Sequence, residues 1–183
     1  MMSEIADRYR RLSSEFAGRI AAVPDDAWDN PSPCADWSAR DVAWHVIETP
    51  KLFFGFIGRE VTPPGRDVPI PEAFDQMRVR LQDALDDPAV ATHEFDGFFG
   101  RTTFEQAVDR FVCFDLVVHG WDLAHATGTD ERLDPAEVER LATRDLPALG
   151  DSIRSPGAFG EAVEAPAGAD AQTRLLAYLG RRA

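Results

Sequence analysis

Apolar residues recur at helical spacing through most of this chain. Between Phe104 and Gly128 they fall at Phe104, Ala107, Val108, Phe111, Phe114, Val118, Trp121 and Ala124, close to a period of 3.6. Thr103 followed by Gln106 predicts a capping box at the start of this segment, and Gly128 a terminating glycine at its end. The pattern predicts one long helix around which the rest of the chain is organised. Polar residues interrupt its buried character at Asp115, His119 and Asp122, and the i, i+4, i+7 spacing puts them on one stripe.

Three further long helices are expected. Ser3 to Val23 carries Ile5, Tyr9, Leu12, Phe16, Ile20 and Val23 on one face, with arginines and acids elsewhere and Glu15 and Arg19 as an i,i+4 pair. Ser38 to Gly58 begins with a Ser38–Asp41 capping box and carries Val42, His45, Val46, Leu52, Phe53 and Phe56. Pro50 inside it either kinks the helix or breaks it. From Pro71 or Glu72 to about Asp87 the stripe is Phe74, Met77, Leu81 and Leu85. The proline-rich stretch from Gly58 to Pro71 reads as a loop able to border a site. Residues 89–102 read as a loop with a short extended piece near His93 to Phe95. Asp134-Pro135 starts a fifth helix running to about Leu149. Residues 150–168 are aperiodic, and Asp170 to Gly180 forms a short terminal helix. The expected fold is all-α: a four-helix bundle with additional short C-terminal helices, in one domain over residues 1–183.

Composition narrows the function. The 183 residues carry a formal net charge of −13, which disfavours phosphate contacts with nucleic acid and attraction to an anionic membrane. No apolar run is long enough to span a bilayer, and MMSEIADRYRRL has no apolar signal-peptide core. Two cysteines, Cys34 and Cys113, do not make a disulfide framework, so a cytoplasmic location is expected. Lys51 is the sole lysine among many arginines, and with the abundance of Ala, Asp and Gly this suggests a high-GC genome.

Bundle cores are where facing helices build metal sites. A carboxylate and an imidazole one turn apart can hold one ion, and His45 from the second helix would complete a set of two nitrogens and one oxygen with Asp115 and His119. Three protein ligands leave a coordination position open for water or substrate. Zinc is the first expectation, and nickel or iron(II) accepts the same donors. Asp122 fits a group that orients a ligand histidine or a structural residue bonded to neighbouring backbone, with the structural role preferred. Trp37, Trp121 and Cys113 are read as packing, His125 as a non-ligand and His93 as solvated. Cys34 is either a reactive thiol or a packing residue. Arg101, Arg59 and Arg66 are candidates for pairing with an anionic ligand, Arg101 first.

The stretch PSPCADWSARDVAWHVIE resembles the first signature of the DinB-like superfamily, in its mycothiol-dependent maleylpyruvate isomerase N-terminal branch. DLVVHGWDLAHATG resembles the second signature, and LLAYLGRRA the end of actinobacterial single-domain members. The resemblance implies metal ligation by His45, Asp115 and His119, with aspartate at a position where the isomerase type has glutamate. It implies mycothiol or a similar small thiol as co-substrate and a small electrophile as its acceptor, in a transferase or isomerase working as a monomer or homodimer. Two other readings stay open: a non-catalytic module that binds metal or a small ligand, and a bundle whose histidines are purely structural.

Overall fold

In the computed structural model, which describes residues 3–150 and 159–182, the chain divides into two compact units, Met1–Asp130 and Glu131–Ala183. The protein is mostly helical, and the one small sheet among the described residues has two strands. No helix among the described residues is long and apolar enough to cross a membrane.

The first unit is the bundle. Helix α1 (Glu4–Ala22) is capped by the Ser3 hydroxyl. Helices α2 (Ala39–Glu48) and α3 (Pro50–Phe56) follow, then α4 (Ile70–Asp86) and the short α5 (Pro88–Ala91). Strands β1 (Glu94–Gly97) and β2 (Gly100–Thr103) form an antiparallel hairpin, with Phe95 opposite Thr102. Then come α6 (Phe104–Ala107), a π-helical turn (Val108–Val112) and α7 (Cys113–Thr127). Helices α1, α4, α2 and α7 pack in a ring, each against the two beside it. Most of the apolar stripes expected from the sequence face inward: Leu12 and Phe16, Val42 and Val46, Met77 and Leu81, Phe114 and Trp121 are all buried, whereas Leu52 of the second stripe is exposed. Helix α7 is buried on nearly every side, as expected for the one helix that is apolar almost all round.

Two expectations need correction. The segment 104–128 is not a uniform α-helix: Cys113 N–H bonds the Val108 carbonyl, five residues back, and defines the π turn. That turn inserts a residue into the repeat, so Phe111 leaves the core stripe and stands half-buried at the surface. Residues 94–103 form a hairpin rather than a loop, closed by Gly100 at φ 92°. Of the two outcomes expected at Pro50, the helix breaks and restarts: α2 ends at Glu48 and α3 begins at Pro50. Thr49 keeps right-handed helical dihedrals, and Pro50 takes the first turn of α3, where a missing N–H costs nothing. The Glu15 charge acts on Arg19 as the i,i+4 spacing expects; Glu15 also accepts from Arg11 at 3.3 Å, and Arg19 donates to the Asp130 carbonyl.

Arg8 departs from the expectation that the arginines of α1 face outward. It is buried, and its guanidinium donates to Asp109 Oδ1 at 2.7 Å and to the Asp109 carbonyl at 3.0 Å. Asp109 belongs to the π turn, so one buried ion pair ties α1 to the irregular stretch just before the ligand stripe. Gly128 ends α7 at φ 67°, as the sequence predicts.

The second unit comprises α8 (Pro135–Arg140), a second π turn (Leu141–Asp145), α9 (Leu146–Leu149) and α10 (Ala171–Tyr178). Asp134 caps α8 as expected, and Asp170 caps α10. Gln172 bridges the backbone of Glu131 and Leu133, and Leu141, Leu176 and Leu179 form the buried centre. Part of the aperiodic stretch 150–168, residues 151–158, lies outside the described residues.

Candidate metal centre

A capping box and a π turn set where the candidate ligands stand. The Ser38 hydroxyl accepts from Asp41 N–H, and the Asp41 carboxylate accepts from the Ser38 N–H at 3.0 Å and hydroxyl at 2.6 Å. Those bonds, the hydroxyl's first, hold the Asp41 carboxyl below its ordinary pKa. They also fix the start of α2 two turns before its end, and His45 projects from its last turn. On α7 the ligand stripe begins just after the π turn, so Asp115, His119 and Asp122 keep regular helical spacing.

The fold brings His45, Asp115 and His119 together. One donor atom from each lies within 4.8 Å of the others. His45 Nε2 is 3.4 Å from Asp115 Oδ2, and His119 Nε2 is 4.0 Å from Asp115 Oδ1. The three side chains differ in exposure, His45 at 35%, Asp115 at 21% and His119 at 8%, so the site opens on the His45 side. His45 is therefore a boundary residue rather than a core one.

His119 is oriented from behind. Its Nδ1 lies 2.9 Å from Asp122 Oδ2, and the Asp122 carboxylate is fully buried. An Nδ1–H donated to that carboxylate would leave Nε2 as the lone-pair nitrogen facing Asp115. Asp122, for which a structural role is the preferred reading, thus lies within hydrogen-bond distance of the candidate ligand His119. The Cys34 thiol donates to the same Oδ2 at 3.3 Å and lies 4.0 Å from His119 Nδ1. Cys34, His119 and Asp122 thus form a second close group of possible ligands on the opposite edge of the same imidazole.

The PSPCADW loop is built to deliver these groups. Trp37 N–H bonds the Cys34 carbonyl at 3.1 Å across a tight turn in which Asp36 takes φ 64°. Aspartate is one of the few side chains that tolerates that left-handed conformation. Ser32 N–H to the Trp37 carbonyl and Ala39 N–H to the Asn30 carbonyl pin the turn to the start of α2. Trp37 then lies over both histidines, with ring centroids 4.9 Å from His45 and 6.1 Å from His119. Sequence reasoning assigns Trp37 to general packing. Its place directly before the capped helix is the one signal in the sequence that it belongs to the site.

Other candidates fall elsewhere. His125 is exposed and stacked on Trp121 at 4.7 Å, and His93 is exposed. Arg101 sits on β2 and donates from Nε and Nη2 to Glu94, and Arg66 reaches Glu48 at 3.2 Å from the loop after α3. Arg59 is exposed. Beside the ligand group, between α3 and the π turn, opens a groove of about 680 Å³. His45, Thr49 and Asp115 mark its polar end, and Phe53, Phe56 and Phe111 its walls.

Asp122→Ala is expected to weaken metal binding by about 10–100-fold, the usual effect of losing a group that orients a ligand. Competition of wild type and variant against a chromophoric chelator would measure it. Unchanged affinity would remove Asp122 from the site.

Residues 9–96 match the family model of the mycothiol maleylpyruvate isomerase N-terminal domain. The match takes in the PSPCADW loop and His45 and stops short of Asp115 and His119. Two uncharacterized proteins of Mycobacterium tuberculosis, from strains CDC 1551 and H37Rv, are each 27% identical over 175 residues, 94% of this chain and 95% of theirs. No solved structure matches the chain. The mostly helical fold agrees with the resemblance read from the sequence, and residues 9–96 are similar to the mycothiol maleylpyruvate isomerase N-terminal domain.

Proposed function

We propose that this chain holds a divalent metal ion, zinc first, through His45, Asp115 and His119, and uses the site to activate a small thiol of the mycothiol kind for transfer to, or isomerisation of, a small electrophile. The observation that carries the reading is the convergence of two imidazoles and a carboxylate from two helices within 4.8 Å. The donor set fits the ion: borderline nitrogen and oxygen ligands, three in number, with one histidine oriented by a buried carboxylate. A bound divalent metal would supply the positive charge that stabilises a thiolate at neutral pH.

The protein's own residues have separable tasks. Asp122 holds the His119 tautomer, and Trp37 covers one flank of both imidazoles. Thr49 Oγ1 lies 3.5 Å from His45 Nε2, the nearest hydroxyl for steering that ring or a bound ligand. The groove beside Asp115 offers the electrophile a place next to the ligand group. Asp115 in place of glutamate asks for a slightly closer approach of α7, because its carboxylate sits on a shorter stem.

The test is direct. Wild-type protein loaded with cobalt(II) is expected to retain stoichiometric metal through dialysis and to develop a thiolate-to-cobalt charge-transfer band on addition of mycothiol. Metal retention without that band, for any cellular thiol, would reduce the reading to a metal-binding module. No metal uptake from zinc, nickel or cobalt solutions would overturn it.

A further inference from the structure

The groove beside His45 and Asp115 has a character that metal binding does not require. Leu52, Phe98 and Phe99 are 50%, 60% and 47% exposed, three of the five large apolar side chains that stand out in water among the described residues. Leu52 and Phe98 line the groove, and Phe99 lies against its wall, stacked on Phe111 at 6.0 Å. Exposed apolar side chains scattered singly need no explanation, but a cluster bordering a concave site does.

Its arrangement follows from the two helical runs that carry the ligands. On one, His45 is followed at helical spacing by Thr49, Leu52 and Phe56; on the other, Phe111 stands one turn before Asp115. The runs are antiparallel here, because His45 meets Asp115 at 3.4 Å while Phe53 meets Phe111 at 5.7 Å between ring centroids. Polar end therefore faces polar end, and apolar faces apolar. The hairpin tip brings Phe98 edge-on to both Phe56 and Phe111, at 5.2 and 5.6 Å. Phe111 can join this wall because the π turn carries it off the core stripe.

The charges point the same way. No arginine lines the groove itself: of the three candidates for holding an anion, Arg66 and Arg101 pair with Glu48 and Glu94 and Arg59 is exposed, while Arg101 and Arg110 line the adjoining pocket beyond Phe98 and Phe111. Lys51 is the one lysine or arginine in the groove lining, set against Glu48 and Asp115. A dianionic substrate would be poorly neutralised here, whereas an apolar one would gain from every wall.

We propose that the groove takes the apolar body of a small ligand, an aryl or branched-alkyl group, whose oxygen or sulfur donor reaches the His45–Asp115 end. The polar half of this assignment rests on the metal reading; the apolar half stands without it. A volume of about 680 Å³ is ample for such a molecule.

Two probes separate the halves. Metal-free protein is titrated with N-phenyl-1-naphthylamine, a neutral fluorophore that brightens in apolar surroundings. Saturable binding is expected in wild type and in Val79→Ser, an equally exposed apolar position on α4. Binding at least about 10-fold weaker is expected in Leu52→Ser/Phe98→Ser, since roughly one ring's worth of apolar contact is removed. Both replaced side chains are half-exposed, so the fold should tolerate the change. No wild-type binding, or equal binding in all three proteins, would overturn the proposal. Metal-loaded protein is then titrated with acetohydroxamate and benzohydroxamate. The phenyl ring should improve affinity about 10-fold in wild type and lose that advantage in the double variant. Equal affinities would sink the groove while leaving the metal site intact. Failure to load metal would sink the metal reading and leave the fluorophore to decide the groove.

Discussion

His119→Ala is expected to abolish stoichiometric metal binding, the largest effect of any single substitution at the site. The imidazole is engaged on both edges: Nδ1 is held by Asp122 at 2.9 Å, and Nε2 faces Asp115 at 4.0 Å. Truncation removes a ligand and also deprives the buried Asp122 carboxylate of its imidazole partner. The loss should therefore exceed the ~10–100-fold expected for removing Asp122 alone. A stability cost of about 1–3 kcal/mol should accompany it, from the loss of that buried hydrogen bond. His45→Ala separates the two consequences, because His45 is 35% exposed: the same loss of metal is expected with little loss of stability. His125→Ala, on the exposed side of the same helix, should keep its metal. Elemental analysis after dialysis, beside thermal melts, reads both quantities. Full metal content in folded His119→Ala would show that the three residues do not form the site.

The largest effect on stability is expected at Arg8, far from any chemistry. Arg8→Met leaves Asp109 as a buried carboxylate without the guanidinium that sits 2.7 Å away. Breaking a buried ion pair from one side typically costs about 3–5 kcal/mol, because the remaining charge stays desolvated. The carbonyl of Asp109 also loses its 3.0 Å donor, in the π turn where regular helical bonding is already shifted. Arg8→Met/Asp109→Leu should recover most of the loss, since an apolar pair of similar volume carries no desolvation penalty. Urea denaturation of the two variants and wild type measures the difference. A loss below about 1 kcal/mol in Arg8→Met would mean that the pair is effectively solvated.

The contrast between these two sites shows which features the sequence makes legible. Asp115, His119 and Asp122 can be placed on one stripe because helical periodicity is local, and α7 is regular from Cys113 onward. The capping boxes at Ser38 and Thr103 and the glycine at 128 are legible for the same reason: each acts on backbone groups within three or four residues. Periodicity misplaces Phe111 because a π turn leaves no mark in an apolar pattern. The turn is tied to Arg8, 101 residues away, which reaches the Asp109 carbonyl. The hairpin at 94–103 reads as a loop because its strands are only four residues each and alternate weakly.

Local sequence is enough to specify the helical fold, the ends of its main helices and the chemical types of the candidate ligands. These rest on short-range spacing, capping and the separation of apolar from polar faces. Tertiary packing supplies the rest: Asp122 bonds His119, Cys34 and Trp37 from one turn close on the same imidazole, and Arg101 lies on a hairpin with Glu94. Packing also runs the ligand helices on into an apolar groove. Apart from the Asp122–His119 bond, each of these joins elements that no single helical repeat connects. Such contacts are set by how helices cross and pack, which no local pattern of residues encodes.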